Sequence, residues 1–178
     1  SCSITSLPCG NTYTGGNPNI LYLGYGPHST TLRLTHTATG PVQYNWTGNG
    51  PLSCTSCQSP VFTPATPGTY TFTCTVTGSG GCFTTCSITI CVVDIRVPGK
   101  PGKVYLCHRP PGNPNNPQLL VISVNAVPAH LSNHSGDKLG QCNASPCNAS
   151  SARMITDAGT EPGALLATIY PNPSRDAF

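Results

Sequence analysis

Charged residues are scarce in this sequence. Only 7% of the 178 residues are Asp, Glu, Lys or Arg, against roughly 25% in an average soluble domain. From Ser1 to Val93 the only charged side chain is Arg33, so Thr, Ser, Asn, Gly and Pro supply the polar surface. The net charge is +3 and no basic run is interleaved with aromatics, which argues against nucleic acid as a partner. Such a surface also has little charge repulsion to keep copies of the protein apart.

Long apolar runs and catalytic motifs are missing too. No stretch approaches the ~20 apolar residues that a membrane-spanning helix needs, so we expect no membrane span. The five Asp and Glu residues include no close pair within a predicted module, which argues against glycosidase chemistry. No nucleophile elbow, phosphate loop or dinucleotide fingerprint occurs. We therefore expect that the protein is not an enzyme.

Cysteine, in contrast, is abundant. Eleven cysteines in 178 residues are too many for a reducing cytosol, and they predict disulfides and an extracellular, cell-surface location. Cys54 and Cys57 have the spacing of a zinc-ligand pair, but a zinc ribbon needs a second close pair on a matching turn. A disulfide is therefore the favoured interpretation. Cys2 and Cys9 are expected to be oxidised as well, in an N-terminal segment spanning 1–18. Because the count is odd, one thiol is free or pairs outside the chain.

The first module, residues 19–97, alternates apolar and polar residues. From Thr69 to Thr77 every odd position is Thr and every even position is apolar, and the alternation resumes at Ile88 after a glycine-rich turn. Alternation with period two is typical of strands with one buried face. Five to seven such strands with turns between them predict an all-β fold, an antiparallel sandwich.

The hairpin on either side of the turn has a predictable register. Its apolar face is continuous only if even positions oppose even positions. If the positions of opposed residues sum to 160, Tyr70 lies opposite Ile90, Phe72 opposite Ile88 and Cys74 opposite Cys86. Opposed cysteines are close enough for a cross-strand disulfide, so we predict a Cys74–Cys86 bridge. Cys91 has an odd number and should lie on the other face.

A second, smaller module follows a predicted linker at 97–102 and spans 103–142. It has two candidate strands, at 104–107 and 119–124, and then a short helix that Asn125 is expected to cap, with Pro128 in its first turn. About forty residues can form only a small hydrophobic core, so the module needs a stabilising cross-link. Cys107 and Cys142 bracket the module and predict that disulfide. Residues 143–163 are small and polar and are predicted to be a linker.

Three of the five histidines fall in this small module. His130 and His134 are four residues apart on the predicted helix, which is a common metal-ligand spacing. With His108 and Asp137 they form a candidate site for one structural divalent metal. Imidazole ligands suit Zn²⁺ or Cu²⁺ better than Ca²⁺, and binding should weaken as the pH falls through about 6. The alternative is that the histidines cap loops or accept hydrogen bonds, and the spacing alone leaves both open.

Residues 41–93, with the W-x-G core "NWTG" and the turn and strand "PGTYT", resemble a PKD-type (polycystic-kidney-disease) repeat of bacterial surface proteins. The resemblance implies an immunoglobulin-like sandwich with a spacer, adhesion or carbohydrate-contact role. Trp46 could then be a sugar-stacking platform, although a Trp at the centre of such a strand is more often core.

Two further stretches resemble parts of secreted bacterial proteins. Residues 103–142, with "CHRPPGNP", "AHL", "HSGD" and a closing Cys, are similar to a small recurrent module. This resemblance implies no particular activity. Residues 164–178, "ALLATIYPNPSRDAF", resemble the start of the sorting domain of type IX secretion in Bacteroidota, truncated after its first strand. This resemblance implies export across the outer membrane and attachment or release at the cell surface.

Together these features predict a secreted cell-surface subunit with a structural or adhesive role. Its partners would be other cell-surface components or copies of itself, polymerised head-to-tail into a filament or layer by strand exchange. Asn19–Tyr25 and Leu165–Tyr170 are the predicted donor strands, unless the tail is only a stub of the sorting domain. The alternative function is a monomeric surface module that binds carbohydrate or metal.

Overall fold

The computed structural model describes residues 1–7 and 19–143. This part of the chain contains ten strands, one 3-10 turn (Val124–Ala126) and one α-helix. The elements are β1 (Cys2–Leu7), β2 (Ile20–Leu23), β3 (Thr30–His36), β4 (Val42–Gly48), β5 (Val61–Phe62), β6 (Gly68–Gly78), β7 (Phe83–Asp94), β8 (Lys103–His108), β9 (Gln118–Ser123), α1 (Val127–Asn133) and β10 (Lys138–Leu139). The expected all-β architecture with one short helix is confirmed. Most of the predicted linker at 143–163 and the whole tail at 164–178 lie outside the described residues.

Two sheets form the sandwich. One has the order β2-β7-β6-β4 and the other the order β1-β3-β5, and their inner faces share one hydrophobic core. Leu32 and Phe62 from one sheet and Phe72 and Ile90 from the other are buried in this core. Trp46 is 2% exposed and its Nε1 donates to the Cys57 carbonyl at 2.8 Å. The indole is therefore core, and it offers no open platform for a sugar.

The predicted register of the β6–β7 hairpin is confirmed. Tyr70, Phe72 and Cys74 lie opposite Ile90, Ile88 and Cys86. On the outer face, hydroxyls pair across the strands, as Thr73 Oγ1 does with Ser87 Oγ at 2.8 Å. The threonine hydroxyls therefore find hydrogen-bond partners on the outer face without any charged residue. The β-branched side chain of threonine also suits the pleated strand.

The predicted Cys74–Cys86 disulfide is wrong, although the two residues are opposed. Cys86 is bonded to Cys2 instead, with a Cα–Cα distance of 6.0 Å, and Cys74 is a free, buried thiol. Opposed core-facing side chains in a sheet project side by side toward the facing sheet. Cys86 therefore meets the cysteine of β1, which belongs to the other sheet. The bridge joins the two layers of the sandwich. The Cys54–Cys57 disulfide is confirmed, and Cys9 lies outside the described residues.

The two free thiols of the described residues should differ sharply in reactivity. Burial raises the pKa of the Cys74 thiol to about 11, whereas Cys82 is exposed. Because the thiolate is the reactive species, we expect iodoacetamide at pH 8 to label Cys82 quickly and Cys74 only after unfolding. Mass spectrometry of the labelled peptides checks this, with Cys82→Ser as the control. Rapid labelling of Cys74 in the folded protein would contradict the burial.

Strand β2 departs from the expected antiparallel pattern. It pairs in parallel with β7, with Ile20 opposite Cys91 and Leu23 opposite Asp94, and all four of its residues are buried. The prediction that Asn19–Tyr25 is an available donor strand is therefore wrong, because releasing it would expose core. Cys91 is oxidised and lies in a second core cluster, so it is on the other face, as predicted.

The small module forms a third sheet of order β10-β8-β9. The second core cluster joins this sheet to the sandwich, since it contains Ile20 of β2 and Val104 of β8 together with Ile95 between them. The predicted linker at 97–102 is instead a tight turn, closed by hydrogen bonds from Lys100 N to Val97 O and from Val97 N to Lys103 O. The two modules are therefore packed against each other, and a flexible linker at 97–102 is excluded.

Helix α1 begins with proline in its first turn, as predicted, but Asn125 does not cap it. The N-cap is Ala126, with no side-chain hydrogen bond. Ser123 caps the preceding 3-10 turn by accepting from the Asn125 backbone N–H. The 3-10 turn shifts the N-cap by one residue, from Asn125 to Ala126, which the sequence pattern does not reveal. No helix of the described residues is long and apolar enough to cross a membrane.

Candidate metal centre

Two elements of the small module, β8 and α1, bring three histidines to one place. His108 ends β8, His130 lies on α1, and His134 is the C-cap of that helix. The Cys107–Cys142 disulfide, confirmed with a Cα–Cα distance of 4.8 Å, ties β8 to the chain after β10. The disulfide therefore closes a covalent loop that contains α1 and both of its histidines.

The three imidazoles converge. One ring nitrogen from each of His108, His130 and His134 can be chosen so that all lie within 4.8 Å of one another. The ring centroids are 4.9 Å apart for His108 and His134 and 5.7 Å for His108 and His130. Nitrogen ligands at about 2.0–2.1 Å from one zinc ion stand at most about 4 Å apart. A small side-chain movement therefore closes this group around a metal, and the cluster could hold one.

Asp137 lies behind these imidazoles. Its carboxylate accepts hydrogen bonds from Nδ1 of His108 at 2.9 Å and from Nδ1 of His130 at 3.0 Å. The backbone N–H of Arg109 donates to the same carboxylate at 2.8 Å, and the side chain is 0% exposed. The structure therefore corrects the prediction of Asp137 as a fourth ligand: the carboxylate accepts hydrogen bonds from two of the imidazoles and lies outside the group that could hold a metal.

The hydrogen bonds also determine the charge of Asp137. Burial by itself would raise its pKa, but the bonds from His108, from the Arg109 backbone and from His130 outweigh burial, and the pKa is lowered. The carboxylate is thus ionised at neutral pH. A carboxylate can only accept, so Nδ1 of His108 and of His130 must carry the proton. The Nε2 lone pairs of both rings are then free to bind a metal.

His134 supplies independent support for a ligand. Its Nδ1 is buried and has no hydrogen-bond partner. Burying an imidazole nitrogen without a partner costs free energy. A metal ion coordinated by this Nδ1 would supply the missing interaction, so the residues present fit the group.

The chain turns sharply before Asp137. A Cβ built on Gly136 would lie 3.0 Å from both Cβ and Cδ of Arg109, so a larger residue here would require the Arg109 side chain to shift. Asp137 then precedes Lys138, which pairs with Cys107. The "HSGD" segment and the pairing of β10 with β8 thus place the carboxylate beside His108. The contribution of the Arg109 backbone N–H was not predictable, because it depends on this strand pairing.

Comparisons with known proteins assign the chain to no family. No protein-family model matches the chain, and no curated protein matches it significantly. The resemblances to the PKD-type repeat, the small secreted module and the type IX sorting domain therefore stay predictions that rest on short motifs.

Proposed function

We propose that this protein is an extracellular structural protein of the cell surface whose small module is stabilised by one Zn²⁺ ion bound to His108, His130 and His134. The observation that carries the proposal is the convergence of three imidazoles in front of a buried carboxylate that holds two of them in the metal-binding tautomer. Metal-ligating histidines usually donate their other ring N–H to such a carboxylate.

The donor set favours zinc. Three imidazoles with tetrahedral geometry suit Zn²⁺, whereas Ca²⁺ and Mg²⁺ prefer oxygen ligands. Cu²⁺ also accepts imidazole but prefers square-planar or tetragonal geometry. A tetrahedral zinc ion needs one more donor beyond the three imidazoles. Water or a further donor would complete the coordination.

A structural role is supported by how little else holds the helix. Within α1 only Val127 is buried and Leu131 is partly buried against the same core, so two side chains supply the hydrophobic contacts of the helix. A metal that joins His130 and His134 to His108 ties the helix to β8 directly. Small modules commonly obtain folding free energy from a bound metal in this way.

Zinc content and thermal stability test the proposal. We expect protein purified without chelator to contain one zinc per chain and to lose several degrees in melting temperature on treatment with EDTA. His134→Ala should abolish stoichiometric zinc because a ligand is removed. His28→Ala, which changes an exposed histidine outside the cluster, should bind zinc like the wild type. If the wild-type protein still contains no zinc after incubation with excess zinc, the site is refuted.

Location at the cell surface is supported by the disulfides, since reducing compartments do not maintain them. A second proposed role is self-association into a surface layer or filament. The observation that favours it is an uncharged, partly apolar sheet edge on the small module. The proposed alternative of a monomeric carbohydrate-binding module has less support, because the single Trp is buried in the core.

A further inference from the structure

Strand β9 leaves one edge of the small sheet open. The sheet order is β10-β8-β9, so among the described residues β9 has a hydrogen-bonded neighbour on one side only. Large hydrophobic side chains stand exposed on it: Leu119 is 49% and Val121 43% exposed. An exposed apolar edge strand with unpaired N–H and C=O groups is a template for pairing with another strand.

The sequence of this strand lacks the charged residues and proline that often protect a sheet edge. β9 reads QLLVIS, with no charge, no proline and no glycine. From Pro110 to Gly136 the chain has no Asp, Glu, Lys or Arg at all. β4 also lies at the edge of a sheet, but its exposed side chains are polar: Gln43, Asn45 and Thr47. Of these two edges, β9 is the one on which a partner strand would bury apolar surface.

We propose that β9 pairs antiparallel with β9 of a second copy of this chain, which joins two three-stranded sheets into one of six strands. The partner is a second copy because the edge is uncharged. It offers no charge pairing to a basic or an acidic strand, and self-pairing brings no like charges together. The proposal names the partner for the proposed self-association and does not depend on the metal.

The sequence of β9 is self-complementary in one register. With Leu120 opposite Leu120 of the partner, Leu119 lies opposite Val121 of the partner, and the converse pair follows by symmetry. Val121 already lies opposite Tyr105 of β8. The pairing thus aligns apolar side chains across the outer face of the six-stranded sheet. Each opposed pair contributes to the stability of the contact.

The expected contact is small and closed. Six residues in each strand bury less than the roughly 1,200 Å² of a stable interface, so association should be weak and depend on concentration. Because the same strand is used by both copies, the contact has twofold symmetry and stops at a dimer. A filament would need a second contact elsewhere.

Sedimentation velocity of the full chain over a range of concentrations tests the pairing. We expect the wild type to shift from monomer toward dimer as concentration rises. Val121→Lys and, separately, Leu119→Lys should each raise the dimer dissociation constant at least tenfold. In either variant the lysine of each copy would lie opposite an apolar side chain of the other copy. The matched control is Asn115→Lys, which adds the same charge to an exposed residue of the preceding loop and should associate like the wild type.

Other outcomes would overturn the proposal. A wild type that stays monomeric at every concentration tested refutes the pairing. If Ile169→Lys abolishes association as completely as Val121→Lys, the occupant of the edge is the C-terminal segment and not a second β9. Equal loss in the Asn115→Lys control would show a general effect of charge. Zinc content measured on the same samples keeps the result separate from the metal site: Val121→Lys should still bind one zinc per chain.

Discussion

Replacing Asp137 with alanine should weaken zinc binding by about 10–100-fold even though all three ligands remain. The carboxylate holds His108 and His130 by hydrogen bonds of 2.9 and 3.0 Å, and without it both rings lose their orientation and tautomer. The zinc-free protein should be less stable too. The Arg109 N–H that donates to Asp137 would lose its partner, at a cost of about 1–3 kcal/mol. Competition with a zinc chelator and urea unfolding measure the two effects.

Asp94→Ala is the matched control for that experiment. Asp94 also accepts from a basic side chain, the guanidinium of Arg96 at 2.6 Å, but the two side chains are 31% and 56% exposed. Exposed ion pairs contribute little, about 0–1 kcal/mol. Asp94→Ala should therefore bind zinc normally and lose little stability. If Asp137→Ala behaves like this control, the carboxylate does not orient the ligands.

Removing the disulfides one at a time should produce graded losses of stability. In the chain-entropy description a bridge stabilises more as its loop lengthens. Sequence separations are 84 for Cys2–Cys86, 35 for Cys107–Cys142 and 3 for Cys54–Cys57. The paired alanine variants should lose about 4.5, about 4 and about 2 kcal/mol respectively. Urea unfolding of each pair against the wild type measures these losses.

The disulfide variants need paired substitutions. Removing Cys2 alone would leave a Cys86 thiol opposite Cys74, where the two could form a new bridge. Cys82→Ala removes an exposed free thiol and should leave stability unchanged. A larger loss for Cys54–Cys57 than for Cys2–Cys86 would contradict the dependence on loop length.

The sequence alone determined the features that depend on neighbouring residues. Alternation with period two predicted strand β6, strand β7 and their register, because successive side chains of a strand point to opposite faces. The spacing of His130 and His134 predicted that both lie on one side of a short helix, because residues four apart share a helix face. The cysteine content and the position of Cys107 and Cys142 around a small module predicted their disulfide.

Tertiary structure decided what depends on distant residues. Cys86 bonds Cys2 of the facing sheet although Cys74 lies opposite it on the neighbouring strand, because the core-facing side chains project toward the facing sheet. Strand β2 is buried because it pairs in parallel with β7, which no local pattern distinguishes from antiparallel pairing. Asp137 is an acceptor behind the histidines because β10 pairs with β8 and carries the preceding turn to His108. Strand pairing over long sequence separations is set by the packing of whole sheets, and local alternation carries no information about it.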